Sequence, residues 1–188
     1  MRAKLRAAVL AGLLALACSD NTGPNLVQTA DLAFLEQAGS APALLTYQLK
    51  FFAVAGRSER WEIHYADADS SDFLEFRMGS NTLVRDVQGN PLAVGDSLEI
   101  TITVDSTLFI VKFQPEGLVF NASDPAELEL EYRWADSLFL MQETEIRPWR
   151  QERAGDPWQE LSPLRFDVDL DEIEVEVPGF TRYALAVN

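Results

Sequence analysis

The 188-residue chain has one histidine and one cysteine, His64 and Cys18. With so few of these side chains, it has no Ser-His-Asp or Cys-His relay and no Cys/His zinc site. Basic residues are also scarce: 15 Lys and Arg stand against 30 Asp and Glu, for a formal net charge of −15. A surface this acidic repels phosphate backbones and anionic headgroups, which excludes nucleic acid as a partner and argues against peripheral electrostatic contact with a membrane. Glycine-rich phosphate loops are missing, and helical periodicity is nearly absent. The main uncharged run, Ala7 to Ala17, is too short to span a bilayer as a helix.

That run has a meaning of its own. It follows the basic opening Met1-Arg2-Ala3-Lys4-Leu5-Arg6 and ends Leu14-Ala15-Leu16-Ala17-Cys18, the layout of an export signal. The ending resembles the bacterial lipobox, departing from it at Ala15, where leucine is usual. The resemblance implies cleavage after residue 17 and a lipid on Cys18, which anchors the protein in a membrane. The alternative is ordinary secretory cleavage near Ala17 that leaves Cys18 free. Lipidation is favoured because a lone exported thiol is a reactive liability. Removing residues 1–17 takes away Arg2, Lys4 and Arg6, leaving 171 residues with a net charge of −18. Residues 18–25 (Cys-Ser-Asp-Asn-Thr-Gly-Pro-Asn) are small, polar and turn-prone, and read as the lipidated cysteine plus a flexible tether. Ser19, in place of Asp, resembles lipoproteins sorted to the outer membrane. The expected address is therefore the bacterial cell envelope, facing the periplasm or the outside.

Residues 26–188 read as one all-β domain, a single antiparallel β-sandwich. From Leu44 onward apolar residues recur every second position, with turn residues between runs. Tyr47, Leu49, Phe51 and Ala53 form one run and Trp61, Ile63 and Tyr65 the next, with Gly56-Arg57-Ser58-Glu59 between them, so a hairpin is expected there. Leu98 to Val104 is a half-buried strand, and Leu128 to Trp134 is another. Ala154-Gly155-Asp156-Pro157 turns between two short strands carrying Trp149 and Trp158. Between Phe166 and Val177 the apolar phase switches from even to odd positions at Asp171-Glu172, which predicts a bulge or a tight connection. Residues 26–45 leave two readings open: a short helix over Ala30–Ala38, or an extended segment laid over the sandwich.

The stretch Phe113-Gln114-Pro115-Glu116-Gly117-Leu118-Val119-Phe120, continued by Pro125 to Tyr132, resembles the central signature of the ZU-five β-sandwich family. Gly179-Phe180-Thr181-Arg182-Tyr183 is similar to its last strand, where His-Phe-Ser-x-Tyr is common. Signature segments 113–132 and 179–185 thus imply the same sandwich fold. Some relatives cleave their own chain between the Phe and Ser of that motif. Here Gly179 stands at the His position and Thr181 at the Ser, so a hydroxyl remains but its activating base is missing.

Few other residues invite a chemical role. His64 falls on the polar side of its strand and reads as a solvated surface residue. Asp67, Asp69 and Ser71 have the first ligand spacings of a calcium loop, but Asp72 replaces the required Gly and Met78 the closing Glu, so a solvated hairpin loop is expected, with a weak irregular calcium site as the alternative. Asp167, Asp169, Asp171, Glu172, Glu174 and Glu176 read as a charged outer face that blunts edge-to-edge pairing, with a glycosidase carboxylate pair as the alternative. Trp61 and Trp134 read as core. Trp149 and Trp158, flanking one turn, are the candidates for a shared exposed patch that stacks on sugars. The expectation is a non-enzymatic, lipid-anchored interaction module with no cofactor and no metal, its partner an unidentified protein or a cell-envelope glycan. The alternative is a glycan-binding or glycan-cleaving domain that uses Trp149 and Trp158 with nearby carboxylates.

Overall fold

The computed structural model describes residues 24–188. The predicted signal segment 1–17, Cys18 and the tether up to Gly23 lie outside the described residues. The strands are β1 Leu26–Val27, β2 Ala33–Phe34, β3 Gln48–Val54, β4 Glu59–His64, β5 Asp72–Met78, β6 Ser97–Val104 and β7 Ile110–Gln114. They continue with β8 Ala126–Glu131, β9 Arg147–Gln151, β10 Trp158–Glu160, β11 Arg165–Asp167, β12 Glu172–Val177 and β13 Arg182–Val187. The larger sheet runs β1-β10-β9-β13-β7-β6-β3, with β2 also paired to β13, and the smaller runs β11-β12-β8-β5-β4. All pairings between these strands are antiparallel. The chain is the all-β sandwich that its two-residue periodicity implies. Among the described residues no helix is long and apolar enough to cross a membrane.

The core follows from the alternation. Ile63, Leu74, Phe76, Leu128, Leu130, Ile173 and Val175 of the smaller sheet meet Ile100, Ile102, Val111, Phe113, Tyr183 and Leu185 of the larger, all buried. Phe113 and Phe180 stack at 4.9 Å between centroids, and Phe76 lies 5.0 Å from Phe113. A buried ring removes about 150–250 Å² from water, so each contributes roughly 4–6 kcal/mol before chain entropy opposes it. A one-residue slip of any strand would turn such rings to solvent, which fixes the register.

Local readings fared differently where pairing had to be inferred. β3 and β4 do not form the expected hairpin: β3 pairs with β6 and β4 with β5, so the connection crosses between sheets. Gly56 makes that crossing at φ +89°, with Val94 lying 2.7 Å from where a Cβ would sit. The two runs still meet across the core, where Phe51 stacks on Trp61 at 3.8 Å. The phase switch near Asp171 is the tight connection between β11 and β12. Phe166 lies opposite Ile173, residues 168–171 turn the chain, and Asp171 has φ +56°. Val168 and Leu170 are accordingly exposed turn residues. Trp149 and Trp158 sit on the hairpin β9–β10, as read from the sequence.

Residues 26–45 adopt the extended alternative, with one short 3-10 turn at Thr29–Asp31. β1 pairs with β10, whereas β2 pairs with β13 on the far side of β9. Residues 28–32 must therefore strap across the outer face of the larger sheet. That strap creates a second, smaller core outside the sandwich, built from Leu32, Trp149, Trp158, Ala184 and Ala186 with Val27, Phe34 and Ile110 packed against it.

Candidate functional site

The outer face of the smaller sheet carries the main concentration of charge. Every second residue of its strands points away from the core, and in this chain those positions are almost all ionisable. One cross-strand row reads Glu62, Glu75, Glu129, Glu174 and Arg165 in direct register from β4 to β11. A second reads Arg60, Arg77, Glu127 and Glu176. In the third, Glu131 lies opposite Glu172 and Glu172 opposite Asp167, with His64 and Asp72 paired at the other end. A β-bulge makes the third row possible. Ile63 pairs with Leu74 but His64 with Asp72, so Phe73 has no partner and turns into the core while Asp72 faces outward.

Like charges directly opposite one another destabilise a sheet, so the four glutamates in register require compensation. Arg77 supplies much of it, lying 3.1 Å from Glu127 and 3.2 Å from Glu75 and also pairing with Glu174. Arg165 reaches Glu129 at 2.7 Å, Glu172 at 2.8 Å and Glu174 at 3.5 Å. Arg60 lies 3.0 Å from Glu62 and 3.3 Å from Glu75. Compensation is incomplete at Glu131, which retains only 7% of its surface. Burial there, reinforced by Asp72, Glu172 and Glu129 and opposed by Arg133, pushes its carboxyl up to about 7. Glu172 and Glu75 are also raised, each chiefly by burial. Burial by itself would lower Arg77, but Glu174, Glu75, Glu127 and Glu129 outweigh it and raise the guanidinium further.

His64 is less solvated than its polar strand position implies. It is half-buried between two carboxylates, with Nδ1 2.5 Å from Asp72 and Nε2 3.4 Å from Glu62. The acid-rich C-terminal segment is divided: Glu172, Glu174 and Glu176 lie on β12, Asp167 on β11, and Asp169 and Asp171 in the turn. The edge strands are β11 and β4, so the β12 carboxylates cover an interior strand's outer face and do not blunt an edge.

Trp149 and Trp158 overturn the exposed-patch reading. Each is 1% exposed, buried under the strap on the outer face of the larger sheet. Trp158 Nε1 donates to Thr29 Oγ1 at 3.2 Å, Trp149 Nε1 donates to the Ala186 carbonyl at 3.3 Å, and Arg182 lies over the Trp158 ring. Flanking a turn suggested exposure, but the N-terminal strap covers both rings. The carboxylate grid belongs to the opposite sheet, so these rings and those acids form no common sugar groove. Trp61 and Trp134 pack partly buried against the main core.

The Asp67–Asp72 loop is also committed elsewhere. The Asp67 carboxylate accepts from the Ser71 amide at 2.8 Å and from the Ser71 hydroxyl, which lowers its pKa, and Asp72 turns to His64. A groove of about 610 Å³ lies at one end of the sandwich between residues 84–89 and 117–122. Its carboxylate, Asp86, is occupied by the Gln88 and Asn90 amides. Thr181 is buried, and its hydroxyl faces the Gln151 carbonyl and that of Glu152 at 2.8 Å. Gly179 has no room for a side chain, since a Cβ would come 2.5 Å from the Leu118 carbonyl oxygen. Comparison with known proteins adds no family: no family model matches the chain, and no curated protein or solved structure does either.

Of these features, sequence reasoning located the C-terminal acids and the strand that carries Glu129 and Glu131 but missed the grid. The strand that carries Glu75 and Arg77 was not read from the sequence at all. The available signal was the repeated Glu-x-Glu spacing in two runs, Glu127 to Glu131 and Glu172 to Glu176.

Proposed function

We propose that this chain is a lipid-anchored, extracytoplasmic β-sandwich of the bacterial cell envelope that acts as a non-enzymatic interaction module. Its working surface is the acidic outer face of the smaller sheet, and its partner presents clustered positive charge. The observation that carries the reading is the placement of that face. The first described strand, β1, lies at the edge of the larger sheet, and the carboxylate grid lies on the outer face of the opposite sheet, where no other described strand covers it. A face of one predominant sign steers and orients an oppositely charged partner more than it sets raw affinity. The lipid anchor rests on the lipobox-like residues Leu14 to Cys18. The ZU-five likeness is proposed as well. It is supported by the meeting of its two segments, where Phe180 N donates to Leu118 O at 2.7 Å and Gly117 N to Phe180 O at 3.1 Å.

Two measurements test this function. Intact mass of the membrane-extracted protein should show acyl chains on Cys18, and Cys18→Ser should release the protein from membranes; an unmodified N-terminus at Ser19 or beyond would defeat the anchor. A photoreactive residue at Glu176 should give cross-linked adducts in living cells, while one at Lys50, on the other sheet, should not. Glu127→Lys should reduce those adducts. Equal yields at both positions, or none at Glu176, would refute the partner surface.

A further inference from the structure

We propose that the flank of the sandwich between β9–β10 of the larger sheet and β11–β12 of the smaller binds a basic amphipathic helix of a partner protein. A groove of about 280 Å³ opens there, with Ile146, Pro148, Leu161, Pro163, Phe166 and Ile173 supplying its apolar wall. The chain crosses between the sheets beside it: Leu161 N donates to Pro148 O at 2.9 Å, and Leu164 N donates to Glu174 O at 2.7 Å. Such a groove has room for a large apolar side chain, the usual form of an interface anchor. Segments next to it leave further apolar side chains in water. The helical turn Ser137–Leu140 packs Phe139 and Leu140 on the main core, while Leu138 and the following Met141 are 71% and 82% exposed. Leu164 at the crossing and Val168 and Leu170 in the β11–β12 turn are exposed as well. Tyr132 gathers these segments: its amide donates to Asp171 O at 2.8 Å, its hydroxyl donates to Glu143 Oε1 at 2.8 Å, and its ring lies 6.5 Å from Phe166. Exposed apolar side chains grouped inside a polar rim mark an interaction site.

The charge of the rim selects the occupant. From Trp134 to Ile146 and from Phe166 to Thr181 the sequence has acids but no Lys or Arg. Glu143, Glu145, Asp167, Asp169 and Asp171 form no ion pair among the described residues. The nearest cations are engaged, Arg147 by the Thr144 and Ile146 carbonyls and Glu160, and Arg165 by Glu129, Glu172 and Glu174 of the grid. Uncompensated acids around an apolar groove repel an anionic lipid surface and a second copy of this acidic chain, and they complement a helix with apolar residues on one face and Lys or Arg on the other. An added strand is less suited, because the edge strand here, β11, is only three residues long. Groove and grid lie on the two sides of that strand: Arg165 and Asp167 face the grid, while Phe166, opposite Ile173, faces the groove. The proposal rests on the acidic-face reading for the sign of the partner's charge and adds to it an apolar anchor.

The Cys18→Ser protein, free of the lipid and detergent that would take up a peptide, is titrated with two labelled synthetic peptides of Leu and Lys. One has its leucines at helical spacing, and the other has the same residues scrambled. The expected result is saturable binding of the amphipathic peptide, about tenfold tighter than the scrambled one. Met141→Ser and Leu170→Ser, at exposed positions that leave the core intact, should each weaken the amphipathic peptide about fivefold to tenfold and leave the scrambled peptide unchanged. Val94→Ser, 88% exposed in the turn before β6, should change neither. Asp169→Lys should weaken both, an effect that fades at high salt. Circular dichroism checks that each variant is folded. Equal affinity for the two peptides, or parent-like binding by Met141→Ser and Leu170→Ser, would overturn the groove and leave the acidic-face reading intact. A parent dimer that Met141→Ser abolishes in sedimentation would assign the flank to a second copy and overturn it as well. Missing Glu176 adducts in cells alongside the expected peptide results would instead refute the acidic face and uphold the groove.

Discussion

Replacing Glu131 by Gln removes one charge from a buried position while keeping its shape, and the structure sets both the sign and the size of the effect. The groups facing Glu131 are Asp72 from β5, Glu129 on its own strand, Glu172 from β12, Arg133 beyond the end of β8 and the Tyr65 hydroxyl. Burial and these acids raise its pKa from the ordinary 4.5 to about 7. Between those two values the folded protein holds a proton that the unfolded chain has released. Stability from this group is therefore fully present below about pH 4.5 and is lost as pH rises through 7. At 1.36 kcal/mol per pKa unit the loss is on the order of 3 kcal/mol. Glu131→Gln should match the parent near pH 4 and exceed it by that amount at pH 8, or by about 5–10 °C in Tm for a domain of this size. The assay is urea unfolding of both proteins from pH 4 to pH 8 with a chelator present, so that no divalent ion neutralises the cluster. Contributions of the other acids largely cancel in the difference between the two proteins. A difference that does not change with pH, or that grows toward pH 4, would refute the reasoning.

Trp158→Ala should cost about 3–5 kcal/mol, because it empties the second core and leaves the Thr29 hydroxyl without its donor; urea midpoints and protease sensitivity near residue 30 report it. Gly179→Ala should destabilise by about 1–3 kcal/mol, since its methyl meets the Leu118 carbonyl oxygen at 2.5 Å, and a neutral result in thermal unfolding would show that this backbone yields. Arg77→Gln should cost about 1–2 kcal/mol at pH 7, a figure held low by the side chain's 36% exposure, by leaving Glu75, Glu127 and Glu174 facing one another. That loss should shrink in 1 M salt or near pH 4, and a loss insensitive to both would show that Arg77 acts through packing.

Legibility in the sequence tracked how far apart the interacting residues lie. The hairpin of Trp149 and Trp158 and the connection at Asp171 were readable because a turn and its flanking strands are adjacent in sequence. The supposed hairpin of Tyr47–Ala53 with Trp61–Tyr65 failed because alternation says which side chains are buried but not which strand is the neighbour. The same limit hid the carboxylate cluster, for Glu129 and Glu131 meet Glu172 only through a pairing that closes a long loop. His64 looked solvated because Asp72 reaches it through a bulge at Phe73, which a strict two-residue period does not contain.

By itself the sequence determined the class of fold and the acidity of its surface, because the two-residue period and the excess of carboxylates are local properties of the chain. Only the tertiary structure decided which faces are covered and which charges are neighbours. Trp149 and Trp158 are buried because a strap more than a hundred residues earlier lies across them, and four glutamates line up because four strands pair in one register. Both are settled by the packing that excludes the most apolar surface from water, a sum over the whole chain that no local stretch of residues contains.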